Sequence, residues 1–454
     1  MSEFVGRRIL VVGLGVSGFS AARALLKLDA KVRVTESNSG PAVQQRADAL
    51  TALGVEVEIG GHDLALLDAD LAILSPGVPP TAPVVLALRD AGIEAFSEVE
   101  LAYRLGQCDF LAVTGTNGKT TTTSLLAAIL EEAGVPTAAA GNIGFPLIDA
   151  IAGVPSGGAI ALEVSSFQLA AIERFRPKVA VLLNVAEDHT DWHGSFRDYA
   201  DAKARIVSNQ TGDDIFLPNA DDDEAMAVAA RTAARVVPFS AARSISEGVG
   251  VETGSVLWRG DPIISVSDVP LPGIAGLEDV AAATGAALEY GIDPKPVVRA
   301  VMGFRPLAHR LEVVAEYDGV TYIDDSKATN PHATQAAVKG LKDVVLIAGG
   351  RSKGIDLSAL ATTVPPVIAV VALGEARTEV EEVFDGLVPV DSVNSMSEAV
   401  DRAAARSVRG GSVLLSPGCA SLDMYESYVV RGEDFARSVK ELIRTRAEGG
   451  NDGD

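Results

Sequence analysis

Apolar residues along this chain come in short blocks whose spacing keeps switching between strand and helix periods. "RILVV" precedes a glycine turn, then "FSAARALLKL" carries its apolar residues at helical spacing, and "AKVRVTE" alternates as a half-buried strand. Strand, turn, helix and strand in that order predict a parallel βαβ unit, which "LAILSPGV" continues. A second alternating block opens with "FLAVTGTNGKT" and runs through "AIALEVSSF" and "VAVLLNV". A third begins after "FRPLAHR" with "YIDDSKATNP", "VVLIAGG", "VIAVVALG" and "SVLLSPGCAS". Each strand ends in small or polar residues, at the sheet edge where α/β proteins bind ligands. Between the second and third blocks, residues 237–273 mix Gly, Ser and Pro with short β-branched runs. They predict an antiparallel insertion before an Ala-rich helix near 278–290. The final "EGGNDGD" is expected to fray.

The restarts of the pattern predict three α/β domains at 1–107, 108–306 and 307–454: a Rossmann-like N-terminal domain, a central P-loop-type ATPase domain and a Rossmann-like C-terminal domain. A length of 454 residues suits three cores at roughly 150 residues each. The first apolar run leads straight into a glycine motif, so it predicts a strand rather than a signal peptide, and with it a cytoplasmic protein. A net charge of −23 argues against a nucleic-acid surface, which needs a basic face to release counterions. Small anionic ligands remain compatible with local basic pockets. Cys108 and Cys419 lack any C-x-x-C spacing, which argues against a zinc site or a disulfide framework.

The candidate chemistry concentrates at strand ends. In "VTGTNGKTT", Gly115 and Gly118 allow backbone N–H groups to turn inward ahead of a helix, and Lys119 adds a full charge, together a polyphosphate cradle. The Thr120 hydroxyl stands where a P-loop hydroxyl ligates Mg²⁺. Val113 replaces the first glycine of a strict Walker A pattern, so a tight turn before a helix is the plain alternative. "GLGVSG", with Gly13, Gly15 and Gly18, matches G-x-G-x-x-G, and Glu36 ends the next strand; by itself this stretch points only to phosphate near a helix N-terminus, with a nicotinamide site the rival functional reading and a purely structural turn the plain alternative. Glu163 closes one apolar strand, and Asp188 and His189 follow another, a carboxylate and an imidazole suited to Mg²⁺ beside a phosphate loop. For His189 a satisfied hydrogen-bond partner is the alternative, and the same role is expected of His62, His193 and His332. Asp325, Ser326, Lys327, Thr329 and Asn330 follow a strand and would otherwise form a solvated loop.

"TGTNGKTT", "GNIGFP", "EVSSFQL", "LNVAEDH", "AHR", "DDSKATNP" and "SPGCASLD", in this order over nearly the whole chain, resemble the Mur ligases of peptidoglycan synthesis. The resemblance is nearest to the D-glutamate-adding branch, because relatives that add diaminopimelate carry an Arg-containing D-N-P-R motif where this chain has Lys327. It implies an N-terminal domain for the UDP of the acceptor, a central ATPase and a C-terminal domain for the amino acid, with "GLGVSG" a UDP site. The implied substrates are UDP-N-acetylmuramoyl-L-alanine, D-glutamate and ATP, with Mg²⁺; a monomer is expected, and no apolar run reaches the roughly 18 residues a membrane span needs.

Position by position, the resemblance implies that Ser17, Glu36, Gly77, Asn142 and His189 bind the UDP substrate. Gly115, Thr116, Asn117, Gly118, Lys119, Thr120, Thr121, Arg310 and Asp325 would bind ATP. Lys327, Thr329, Ser421, Leu422 and Tyr428 would hold D-glutamate, with His309 beside the nucleotide and amino-acid sites. Thr120, Glu163, His189 and Lys203 would serve Mg²⁺. In "DYADAK", Lys203 stands where the family carries a lysine carbamylated by CO₂. Lys119, His189 and Lys203 are the implied catalytic residues. The chain departs from the family at the adenine side, where an HN..N pattern gives way to "GLEDVAAA" with Glu278, Asp279 and Ala282. It departs again in "GGRSKGID", where Arg351 stands at a position that can be acidic. Other readings are a folate-polyglutamating or different Mur ligase, a nicotinamide oxidoreductase and a nucleotide-binding switch module.

Overall fold

The computed structural model describes residues 3–63, 68–143, 145–271, 273–305 and 308–449. Residues 1–265 and 279–302 cluster as one compact unit, and residues 266–278 and 303–454 as a second. Residues 1–107 and most of 108–306 thus fall in unit 1, each with its own sheet, while residues 266–278 and 303–305 of the predicted second domain join the third in unit 2. The predicted boundary at 306/307 and most of the predicted frayed tail lie outside the described residues. The boundary at 107/108 falls between the helix Glu98–Leu105 and the next strand.

The first sheet of unit 1 contains β1 (Arg8–Val12), β2 (Lys31–Glu36), β3 (Glu56–Ile59), β4 (Leu71–Leu74) and β5 (Ala95–Ser97), all parallel in the order β3-β2-β1-β4-β5. β1 lies between β2 and β4, so the glycine loop after it sits where the strand order reverses, the usual place for a ligand crevice. The second sheet contains β6 (Asp109–Thr114), β7 (Thr137–Gly141), β8 (Ala159–Glu163), β9 (Val179–Leu182), β10 (Ile215–Pro218) and β11 (Arg235–Val236). Its order is β11-β10-β9-β6-β8-β7, again parallel. β6 reverses the order here, and the loop "GTNGKT" follows it. Phe110 to Val113, buried on both faces of the strand, explain why "FLAV" reads as a continuous apolar run rather than an alternating one.

The insertion is antiparallel, as its composition predicts: β12 (Val249–Glu252), β13 (Ser255–Trp258) and β14 (Asp261–Ser265) form a three-stranded sheet. The Ala-rich helix after it spans Gly273–Tyr290.

Unit 2 carries β15 (Glu312–Tyr317), β16 (Val320–Asp324), β17 (Val344–Gly349), β18 (Val367–Leu373), β19 (Val390–Ser392) and β20 (Ser412–Leu415) in the order β15-β16-β20-β17-β18-β19. β15 is an antiparallel edge strand, which the sequence pattern did not separate from its neighbours; the other pairs are parallel. Side chains of β17 alternate between two apolar clusters. Val345 and Ile347 join Phe435 on one face, while Val344, Leu346 and Ala348 join Leu360 and Phe384 on the other.

Candidate active site

The loop after β6 shows why both glycines are there. Gly118 has φ +84°, and a Cβ on it would lie 2.4 Å from Asp279 Oδ1 and 3.1 Å from Leu183 Cδ1. A Cβ on Gly115 would lie 2.9 Å from Leu183 Cβ. Asn184 Oδ1 accepts from the N–H groups of Thr116 (3.1 Å) and Asn117 (2.8 Å), bracing the loop against β9. The helix Lys119–Glu132 then starts at Gly118 and leaves its first N–H groups for an anion. Lys119 Nζ folds back and donates to the carbonyls of Gly115 (2.9 Å) and Thr116 (2.8 Å). Thr120 is half-buried at the next position, and Thr121 is buried.

Lys203 reaches the same place from the helix Phe196–Ala204. It is 1% exposed, donates to the Gly115 carbonyl at 2.6 Å and lies 4.6 Å from the centre of the Tyr199 ring. Tyr199 OH in turn sits 2.9 Å from Thr116 Oγ1. Burial, followed by the nearby Lys119 charge, pushes the Lys203 ammonium well below its usual range, while Asp188 and Glu163 pull the other way. A lysine that sheds its proton this readily is the form that can add CO₂.

Glu163, 2% exposed at the end of β8, accepts from Asn142 Nδ2 at 2.8 Å through Oε1, whereas its buried Oε2 has no hydrogen-bond partner among the described residues. A buried carboxylate oxygen left over in this way suits a hard cation such as Mg²⁺. His189 has φ +52° at the start of the short helix Thr190–His193; its Nε2 lies 3.7 Å from Asp188 Oδ2 and its ring packs on Phe167. Lys119, Lys203, Glu163 and Asp188 therefore gather around the phosphate loop. The other histidines of unit 1 hold internal bonds: His62 Nδ1 with Thr35 Oγ1 (2.8 Å) and His193 Nε2 with Ser166 Oγ (3.0 Å).

At the first glycine loop, Gly18 closes so tightly that a Cβ would lie 2.0 Å from the Gly13 carbonyl oxygen. Glu36 accepts from the N–H of Leu14 (2.7 Å) and of Asn38 (2.8 Å), tying the loop to the end of β2. Gly15 starts the helix Val16–Leu26 without a side-chain cap, and Ser17 lies in its first turn. A Cβ on Gly77 would meet no atom within 4 Å, so its side-chain-free surface is not a packing requirement. Beside this loop, Ser75, Pro76, Val85, Ser97, Phe167 and Trp192 help line a cavity of about 290 Å³.

In unit 2, Asp324 ends β16 and Asp325 follows it. Asp325 accepts from Ser416 Oγ at 2.9 Å, and burial raises its carboxyl to about 7, against the pull of that bond and of Arg310. His309 Nδ1 lies 2.7 Å from Asp324 Oδ2, and Glu312 accepts from the His309 N–H at 2.9 Å, so this His-carboxylate cluster is accounted for by its own hydrogen bonds. Lys327 Nζ stands 3.9 Å above the Tyr428 ring, and Ser326 Oγ donates to the Tyr428 carbonyl at 2.8 Å. "DDSKATN" and Tyr428 are thus brought together, with Thr329 half-buried. Ser421 is buried and Leu422 is 54% exposed. Arg351 pairs its backbone with Ala420 and its side chain with Glu375 (3.1 Å).

Three residues of these sites escaped the sequence reading. Arg431, 2% exposed, donates to Ser326 Oγ (3.0 Å), the Ser326 carbonyl (2.8 Å) and the Cys419 carbonyl (3.1 Å), joining the two loops that flank Tyr428. Burial lowers its guanidinium to about 10. Its only signal was an Arg within the apolar "YVVRGEDF". Asp279, noted only as a departure at the adenine side, accepts from Thr122 Oγ1 at 2.8 Å beneath the phosphate loop. Glu98 is buried and accepts from Gln168 Nε2 at 2.8 Å, at a position that looked like an ordinary helix start.

Comparison with known proteins bears on all of this. Residues 7–97 match the Mur ligase MurD-like N-terminal domain, 113–287 the Mur ligase middle domain and 309–419 the Mur ligase glutamate ligase domain. The chain is 42% identical over 442 residues to a UDP-N-acetylmuramoylalanine–D-glutamate ligase of Acidobacterium capsulatum, covering 95% of this chain and 96% of that relative. It is 40% identical over 442 residues to the like-named protein of Geobacillus kaustophilus, covering 96% and 98%. Among solved structures it is similar to MurF from Acinetobacter baumannii, with a TM-score of 0.59 at 16% identity over 95% of this chain and 93% of that one.

Proposed function

The chain belongs to the Mur ligase family, and from that membership we propose how its residues carry out the reaction. It is an ATP-dependent ligase that adds D-glutamate to UDP-N-acetylmuramoyl-L-alanine in peptidoglycan synthesis. The observation that carries this is identity near 40% with D-glutamate ligases over almost the whole of both chains. That breadth separates the reading from the folate-polyglutamating, oxidoreductase and switch-module alternatives.

A carboxylate will not condense with an amine in water, because oxide is a hopeless leaving group. ATP supplies the remedy: the alanyl carboxylate oxygen attacks the γ-phosphorus, ADP leaves, and the acyl phosphate that forms is open to the D-glutamate amine, which expels phosphate. Gly115, Thr116, Asn117 and Gly118 present the cradle for the polyphosphate, with Thr121 behind it. Lys119 exchanges its two loop carbonyls for phosphate oxygens, placing a full positive charge where charge spreads during transfer. Mg²⁺, when bound, neutralises phosphate charge, and Thr120, Glu163, His189 and a carbamylated Lys203 are the residues that would hold it. The leftover Glu163 Oε2 and the readily deprotonated Lys203 support that assignment. His189 acts there as a ligand rather than a base.

Ser17, Glu36 and Gly77 take the uridine diphosphate end of the acceptor, and Asn142, which already bonds Glu163, takes the muramoyl end together with His189. In unit 2, Lys327, Thr329, Ser421, Leu422 and Tyr428 hold D-glutamate, and Arg310 and Asp325 take part in binding the nucleotide. The proposed domains are 1–107 for the UDP substrate, 108–306 for ATP and 307–454 for the amino acid. No helix among the described residues is long and apolar enough to cross a membrane, and a cytoplasmic monomer is the proposed working form. A coupled phosphate-release assay tests the reading. Phosphate should appear only when ATP, Mg²⁺, UDP-N-acetylmuramoyl-L-alanine and D-glutamate are all present. Equal turnover with L-glutamate would instead favour a folate-type ligase.

A further inference from the structure

Glu98 opens the helix Glu98–Leu105 and is 2% exposed, yet none of the steps above uses it. Its Oε1 accepts from Gln168 Nε2 at 2.8 Å, and its buried Oε2 has no hydrogen-bond partner among the described residues. The helix Val16–Leu26, whose first turn carries Ser17 of the first glycine loop, packs against the Glu98 helix, and the Ser17 hydroxyl favours the carboxylate form. The preceding Ser97 donates its N–H to the Ala171 carbonyl at 2.7 Å, just past the helix Ser166–Ala170 that carries Gln168. Gln168 in turn closes a capping box with Ser165, two residues after Glu163. The packing of the Ser17 helix on the Glu98 helix, the Glu98–Gln168 bond and the Gln168–Ser165 capping box thus connect the UDP loop to the strand end that presents the leftover Glu163 oxygen.

We propose that Glu98 is a positioning residue for the acceptor substrate: it registers the UDP loop against the Gln168 helix, and its ionisation weakens binding of the UDP diphosphate. The proposal rests on the reading of the Ser17 loop as the UDP site. Burial is the first cause that raises the Glu98 carboxyl, to about 7, outweighing Gln168, the helix-start N–H groups and Ser17, all of which favour the anion. Below that pH the carboxyl is neutral. Above it, a buried anion stands beside a loop that must accept a dianionic group, with little water to screen the two.

The elements packed against this helix carry few other charges. Asp149, on the helix Leu147–Ile151, accepts from Ser20 Oγ at 2.7 Å, and Arg23, on the helix Val16–Leu26, lies 5.6 Å from the Phe19 ring centre. β4, β5 and the Gln168 helix carry no ionisable side chain. On its own helix, Glu100 bonds Arg104 Nε (2.8 Å) and the N–H groups of Glu173, Arg174 and Phe175, and Tyr103 is raised by burial away from the neutral range.

The test measures KM for UDP-N-acetylmuramoyl-L-alanine and for ATP between pH 6 and 8.5 in the wild-type chain, Glu98→Gln and Ser17→Ala, with thermal melts as a check on folding. The expected result is a rise of roughly fivefold in the wild-type KM for the UDP substrate across that range, a flat profile in Glu98→Gln, and no such difference between the two in KM for ATP. Parallel profiles in wild type and Glu98→Gln would overturn the proposal while an elevated KM in Ser17→Ala kept the UDP reading intact. Unchanged KM in Ser17→Ala would remove the UDP reading, and the proposal with it. Should Glu98→Gln fail to fold, a wild-type KM that does not rise with pH overturns the proposal by itself.

Discussion

Replacing Gly118 by alanine tests the geometry of the phosphate loop with one methyl group. At φ +84° an L side chain costs about 1–2 kcal/mol relative to glycine. The new Cβ would also sit 2.4 Å from Asp279 Oδ1, inside any allowed contact, and Leu183 closes the other side at 3.1 Å. Asp279 can retreat only by giving up the Thr122 hydroxyl it holds at 2.8 Å, worth about 1 kcal/mol. Gly118→Ala should therefore destabilise the chain by about 2–3 kcal/mol, seen as a lower urea midpoint. It should also raise KM for ATP more than about tenfold, because the displaced loop no longer points its N–H groups at phosphate. The two causes can be separated with Asp279→Ala. That variant loses the Thr122 bond but removes the clash, so the double variant should be less destabilised than the two singles together by about 1 kcal/mol. A Gly118→Ala chain within about 0.5 kcal/mol of wild type, with unchanged KM for ATP, would refute both the left-handed cradle and its role.

Lys119→Ala should lower turnover by roughly 10²-fold or more with little change in melting temperature, since it removes charge stabilisation from a half-buried loop; phosphate release and a thermal melt check it. Lys203→Ala should lose most activity and regain part of it when a small carboxylate such as acetate fills the vacated space, whereas full activity without additive would make Lys203 a structural lysine. Glu98→Gln should be the more stable chain at pH 8 by about 3 kcal/mol, from a carboxyl displaced from 4.5 to about 7 at ~1.4 kcal/mol per pH unit. The sign follows from proton binding: between those pH values the folded wild type keeps a proton that the unfolded chain releases, so its stability falls as pH rises, and the advantage of glutamine should vanish below about pH 4.5 in urea titrations. Tyr428→Leu, which removes the ring beneath Lys327, should raise KM for D-glutamate several-fold and leave KM for ATP unmoved, as judged by initial rates.

Local chemistry explains which parts of the fold and the site were legible in the chain. The strand–turn–helix starts were visible because apolar runs buried on both faces stop at glycines that the turns require, as at Phe110–Val113 and Gly118. Lys119, Glu163 and His189 stood out because strand ends are few and such residues there have little packing purpose. Glu98, Asp279 and Arg431 did not stand out, because their meaning depends on partners far along the chain. Glu98 meets Gln168 across 70 positions, Thr122 meets Asp279 across 157 and Arg431 meets Ser326 across 105. The antiparallel β15 was hidden for another reason: its "EVVAEY" mixes charged and apolar residues in a way that fits strand and loop alike. Residues 266–278 cluster with unit 2 although the restarts of the pattern assign them to the second domain at 108–306, since periodicity marks where elements begin but not which core they join.

The most direct measurement of the central claim follows oxygen from the acceptor. UDP-N-acetylmuramoyl-L-alanine labelled with oxygen-18 in its alanyl carboxylate is turned over with ATP, Mg²⁺ and D-glutamate, and the phosphate and the nucleotide product are analysed by mass spectrometry. An acyl phosphate formed by attack of the carboxylate on the γ-phosphorus places one labelled oxygen in each phosphate released and leaves the other in the new amide. Unlabelled phosphate released alongside the amide product would contradict an acyl-phosphate route, and phosphate released without the acceptor would reduce the chain to an ATPase.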